Sequence, residues 1–82
     1  MDKYISIERA EYVGGYKIFL KFNDEKERVV DFERFITKSV HPDIKKYLDL
    51  GLFKKFALAH GEIEWNDYEL AFPIYDLYRG EI

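Results

Sequence analysis

"VGGYKIFLKF", Val13 to Phe22, is the stretch whose reading decides the fold. Gly14–Gly15 can supply the positive φ angles of a tight hairpin. Beyond them Tyr16, Ile18, Leu20 and Phe22 alternate with Lys17, Phe19 and Lys21. Successive side chains of a strand point to opposite faces, so this is a half-buried strand. Upstream, "YISIERAEY" (Tyr4–Tyr12) sets Ile5 and Ile7 on one side and Ser6 and Glu8 on the other. Downstream, "NDEKE" (Asn23–Glu27) is a polar turn and "RVVDF" (Arg28–Phe32) a returning strand. Val30 is assigned to the core, with Val29 as the competing choice. The three strands make an antiparallel meander.

The middle of the chain changes period. Pro42 suits the first position of a helix, and Asp43 the first turn, where the helix dipole favours an anion. Ile44, Tyr47 and Leu48 are spaced as one helical face, and Gly51 is placed to end the helix. "FERFI" before it reads as one helical turn, with Phe32, Phe35 and Ile36 on one side. In "FALAHGEIEW", Phe56 and Leu58 share a face, His60–Gly61 is a turn, and Ile63 and Trp65 share a face opposite Glu62 and Glu64. Asn66–Asp67 is turn chemistry again. "YELAF" is one more short strand, and Pro73 opens a terminal helix carrying Ile74, Leu77 and Tyr78 on one side.

The fold class is therefore α+β. Its antiparallel sheet is built from an N-terminal three-stranded meander and a C-terminal hairpin, with one middle helix and a short C-terminal helix. Ile5, Ile7, Ile18, Leu20, Val30, Leu48, Phe53, Ile63, Trp65 and Leu77 are expected to supply most of the core.

Composition bounds the function. Eighty-two residues make one domain, 1–82, with a modest core. An apolar fraction of 48% argues against disorder, although 35% of residues are charged. There is no Cys, which excludes disulfides and thiolate metal sites. The charged N-terminus lacks the apolar segment of a signal peptide, and no stretch is apolar enough for a membrane span. A cytoplasmic location is the expectation. The net charge of −3, with both signs interspersed, makes no electrostatic case for nucleic acid.

Four groups of residues could carry chemistry. Glu62, Glu64, Asp67 and Glu69 include carboxylates two apart on one strand, the separation of a glycosidase pair. The competing and preferred reading is a solvated strand face. His41 sits near a helix start and His60 at a turn, and a metal site would need both to meet Asp or Glu in space. No metal or cofactor is expected. Lys17, Phe19 and Lys21 form a basic stripe around an aromatic, extended by Lys3 and Arg9, as in sheets that stack bases. The preferred reading puts Phe19 under a helix or at a partner interface. Neither Ser6 nor Ser39 has a nucleophile elbow, and Gly14–Gly15 is no phosphate loop. Finally, seven Tyr, seven Phe and one Trp exceed what so small a core can hold. The surplus, Tyr68 and Tyr75 among it, either caps the core edge or meets a partner.

The block G-x-I-x-W…P…LY, here Gly61, Ile63, Trp65, Pro73, Leu77 and Tyr78, resembles domain-of-unknown-function family 2442. Tyr16, Lys17, Ile18 and Phe22 are similar to its second strand, and Asp31 and Phe32 to the end of its third. Asp43, Leu52 and Phe53 fit its middle, and Glu69 and Leu70 its closing stretch. The resemblance spans about Tyr4 to Tyr78. It departs after the Trp, where members carry Pro-Asn-Gly and this chain has Asn66-Asp67-Tyr68. The resemblance implies a small bacterial or archaeal domain without an established activity. It also implies a frequent gene neighbour encoding another small domain, as in a toxin–antitoxin pair.

Three functions fit these observations, in order of preference. The first is a non-catalytic interaction module with a small protein partner or a second copy of itself, possessing the character of the antitoxin-like half of a two-gene pair. The second is a nucleic-acid-associated module using Lys17, Phe19 and Lys21. The third is a small carboxylate enzyme.

Overall fold

The structure, a computed structural model, describes residues 4–82. The meander is formed by β1 (Ile7–Gly14), β2 (Lys17–Phe22) and β3 (Glu27–Asp31), in that spatial order. A second antiparallel sheet holds β4 (Ala57–Ala59), β5 (Glu62–Trp65) and β6 (Leu70–Ala71). Helices α1 (Glu33–Lys38), α2 (Pro42–Lys45) and α3 (Leu50–Phe53) lie between the sheets in sequence, and α4 (Ile74–Arg79) ends the chain. The α+β class is as expected, with the strands divided between two sheets. Among the described residues no helix is long and apolar enough to cross a membrane.

Strand β2 keeps its sequence pattern. Ile18, Leu20 and Phe22 are wholly buried, while Lys17, Phe19 and Lys21 face away. Val30 joins the core and Val29 is 53% exposed. Strand β1 breaks strict alternation, because a register shift falls between Ile7 and Arg9. Such an irregularity changes which parity points inward. Ile7 is therefore buried alongside the even-numbered Ala10 and Tyr12. Ile5 and Leu48, expected in the core, pack against it from its margin.

The single middle helix is corrected to three short pieces. Residues Lys46–Leu48 tighten into a 3₁₀ turn, and Asp49 is extended, with φ −71° and ψ 114°. The cause is local: the Asp49 carboxylate accepts from the Gly51 amide at 2.8 Å and so starts a new helical turn. Gly51 thus lies inside α3 rather than ending α2. The Tyr16 hydroxyl donates to the Leu48 carbonyl, which the break leaves without a helical partner.

Trp65 is the hub of the core. It is 1% exposed, and its ring meets Phe32, Phe53, Phe72, Tyr47 and Phe56 at centroid distances from 5.5 to 6.3 Å. Its indole N–H donates to the Phe53 carbonyl at 2.7 Å, so burial leaves no polar atom unpaired. Ile63 and Leu77 are wholly buried beside it. Phe22, Phe32, Ile36, Tyr47, Leu70 and Phe72 complete the core beyond the residues assigned from sequence.

A backbone hydrogen bond joins the two sheets at one glycine. The Ile7 amide donates to the Gly61 carbonyl at 2.7 Å. Gly61 has φ +77°, and a Cβ there would stand 2.6 Å from the Cβ of Ser6. Only glycine accepts both that conformation and that approach.

Candidate functional site

The outer face of the meander is the candidate surface. Register places Arg9, Lys21 and Glu27 in one cross-strand row, Glu11, Phe19 and Val29 in the next, and Lys17 beside Asp31. Phe19 is half-buried by its neighbours and takes no part in the core, while Val13 and Val29 are both more than half exposed. The expectation that a helix covers Phe19 is thus corrected. The core-forming side chains of this sheet all lie on its other face.

The same face is not a basic stripe. Lys21 lies 3.5 Å from Glu25 and Arg9 lies 2.9 Å from Glu11. Lys17 has Asp31 across the strand pair, and Lys21 has Glu27. Each cation thus has a carboxylate beside it, so phosphate would find little net positive field. Lys3 lies outside the described residues. Sequence reading missed Val13 and Val29 as members of this surface. For Val29 the signal was its register opposite Phe19, which the alternation alone does not count out; Val13 falls in the register shift between Tyr12 and Gly14 and has no cross-strand partner there.

The acidic group divides. Glu62 and Asp67 are exposed. Glu64 is a correction: expected on a solvated face, it is 8% exposed, and its Oε1 accepts from the Tyr68 amide at 2.9 Å. The chain turns back over that face through Asn66, Asp67 and Tyr68, all three with positive φ. Its cross-strand neighbours are Ala57 and Ala71, too small to hold the turn away.

Glu69 is the centre of a polar knot. Its Oε1 receives Lys46 Nζ at 2.7 Å, the Tyr47 hydroxyl at 2.7 Å and Asn66 Nδ2 at 3.1 Å. These donors, Lys46 first, lower its pKa to about 2. Burial, reinforced by the Glu69 charge, pushes the Tyr47 hydroxyl up to about 12. The knot fastens the β5–β6 turn to the 3₁₀ turn. With Glu64 and Glu69 engaged in these bonds, the carboxylates form no open acid–base pair. Among the described residues no three His, Asp or Glu side chains are placed to share a metal ion, and His41 and His60 belong to no such group.

The tyrosines split as well. Tyr12, Tyr16, Tyr47 and Tyr78 pack on or in the core while their hydroxyls bond to Gly15, Leu48, Glu69 and Asp24. Tyr68 and Tyr75 are 45% and 47% exposed, one in the β5–β6 turn and the other on α4. They lie on different elements from the Lys17–Phe19–Lys21 face. Tyr78 is held from three sides. Its ring packs edge-on against Phe22 at 5.1 Å, Lys26 Nζ stands 4.5 Å over it, and Arg28 Nε donates to its carbonyl at 3.0 Å. Its bond to Asp24 lowers the pKa of that carboxyl and raises that of the phenol.

Fold and surface together define a small α+β domain of two three-stranded sheets, one open on its outer face. A family model described as Protein of unknown function (DUF2442) matches residues 7–82, nearly the whole chain, and the chain belongs to that family. No curated protein and no solved structure matches it. The closing block owes its pattern to structure: Gly61 joins the sheets, Trp65 and Leu77 fill the core, and Tyr78 grips the β2–β3 turn.

Proposed function

We propose that this domain is a non-catalytic protein-interaction module whose contact surface is the outer face of the meander. The observation that carries the reading is Phe19 beside Val29 on a sheet face outside the core, flanked by the Arg9–Glu11 and Lys21–Glu25 pairs. An apolar centre within a polar rim is the usual anatomy of a protein interface. The gene arrangement implied by the family resemblance makes a small co-encoded protein the first partner to try. In that arrangement the domain would be the neutralising half of the pair. Tyr68 and Tyr75 are available for secondary contacts.

The test compares wild type with Phe19→Asp as baits in the native cell, read by mass spectrometry and by sedimentation of the purified protein. Expected is a stoichiometric small protein, or a dimer of this chain, that the variant loses while its urea unfolding stays parental. A partner kept by Phe19→Asp, or a monomer that captures nothing, overturns the reading. Capture of oligonucleotides in place of protein would favour the nucleic-acid alternative, with affinity falling steeply as salt rises.

A further inference from the structure

A groove of about 570 Å³ runs beside α1 and the loop after it, sharing no residue with the meander face. Arg34, Lys38 and His41 line it, with Phe35, Val40 and Ile82 supplying apolar surface. Val40 is 86% exposed and Phe35 39%, although Phe35 also packs edge-on against Phe72. Among the described residues no carboxylate lies within ion-pair distance of Arg34 or Lys38. On the meander face Arg9 and Lys21 each have an acid in reach, and Lys17, without an ion pair, has Asp31 opposite it in the register. An acidic chain has here left two cations unpaired around exposed apolar side chains.

We infer that this groove docks an acidic, extended segment of a protein partner that carries one aromatic or aliphatic anchor. Charge complementarity gives the sign of the partner. Spacing gives its conformation: Arg34 and Lys38 are one helical turn apart, about 6 Å along the axis. Carboxylates two residues apart on an extended segment are separated by about 6.5–7 Å, which matches. The open shape selects a peptide over a small molecule, because small-molecule sites enclose most of their ligand. The anchor lies on Phe35 and Val40, which line the same groove as the two charges. The Ser39 hydroxyl accepts from the His41 amide at 3.2 Å and holds the loop that presents His41.

The inference does not depend on the meander face, and its test is separate. The ¹⁵N-labelled protein is titrated at low salt with a short peptide in which aspartates alternate with alanines around one central phenylalanine. Expected are saturable amide shifts clustered at Arg34–His41, unchanged by Phe19→Asp. The double variant Arg34→Glu/Lys38→Glu, whose sites are exposed, should keep a folded spectrum and weaken binding by more than about ten-fold, as for close complementary charges. Replacing the peptide's phenylalanine by alanine should weaken it as well. Absent shifts, shifts centred elsewhere, or equal binding by a peptide with lysines in place of aspartates would overturn the inference.

Discussion

Strand β2 buries one face, and β5 buries both over its last three residues. In β2 the odd positions Lys17, Phe19 and Lys21 stand outside the core, while Ile18, Leu20 and Phe22 are sealed. In β5 Ile63, Glu64 and Trp65 are all buried, although the glutamate alternates with apolar residues as the lysines of β2 do. The two strands differ in the turn at their C-terminal end. A polar turn carries the chain from β2 into β3 without covering the outer face. The left-handed turn after β5 folds back, and its Tyr68 amide bonds to the Glu64 carboxylate. The same chemical alternation thus marks a free surface in one sheet and a closed one in the other. One part of the molecule is committed to holding itself together, and another is left available.

The sharpest way to break this contrast is at the hub. Trp65→Ala should cost about 3–5 kcal/mol, the usual range for a large buried aromatic, and leave a domain this small mostly unfolded in urea titrations. A parental unfolding midpoint would remove β5 from the core. Next is the joint between the sheets. Gly61→Ala meets both a positive φ and the Ser6 side chain, whereas Gly15→Ala meets a positive φ and open space. Gly15→Ala should cost about 1 kcal/mol, the left-handed penalty alone, and Gly61→Ala clearly more. Equal midpoint shifts in thermal unfolding would mean that the Ser6 contact relaxes freely.

The two glutamates of β5 sharpen the comparison directly. Glu64→Ala leaves the Tyr68 amide without its acceptor and should cost about 1–3 kcal/mol. Glu62→Ala, at an exposed position, should stay within about 0.5 kcal/mol. If both behave alike in urea, the turn does not seal the second face. A smaller effect is expected from pH. The folded pKa of Glu69, about 2, lies below its ordinary 4.5. Its contribution is therefore complete above pH 4.5 and is lost as pH falls through about 2. Glu69→Gln should flatten the stability profile in that acid window and leave the slope near neutrality unchanged. An unaltered acid limb would mean that the knot is loose in solution.

The meander was legible because a tight turn and an open face preserve alternation over the whole of β2. The exposed Val29 was harder, since only cross-strand register sets it beside Phe19, and Val13 harder still, since it falls in the register shift before Gly14. Glu64 was misplaced for a physical reason: strand parity says which face a side chain takes, but not whether a later turn covers that face. The split of the middle helix rests on one side-chain bond, Asp49 to the Gly51 amide, which competes with helix propagation and leaves the apolar spacing unchanged. The exposed cations of α1 escaped notice because acids nearby in sequence, Asp31, Glu33 and Asp43, conceal that none reaches them in space.

The grip on Tyr78 bears on how long the domain stays folded. Its bonds to Asp24 and Arg28 bridge 54 and 50 residues of chain. Closing so long a loop costs entropy before any contact repays it, whereas hairpins close locally and early. Docking of α4 is therefore expected to follow the main folding barrier. Interactions formed that late slow unfolding and leave the folding rate nearly untouched. The α4 latch would then govern the lifetime of the native state, and with it the time during which the open sheet face remains presented. In a chevron plot, Tyr78→Phe should displace the unfolding arm alone; a displaced folding arm would place docking within the nucleus.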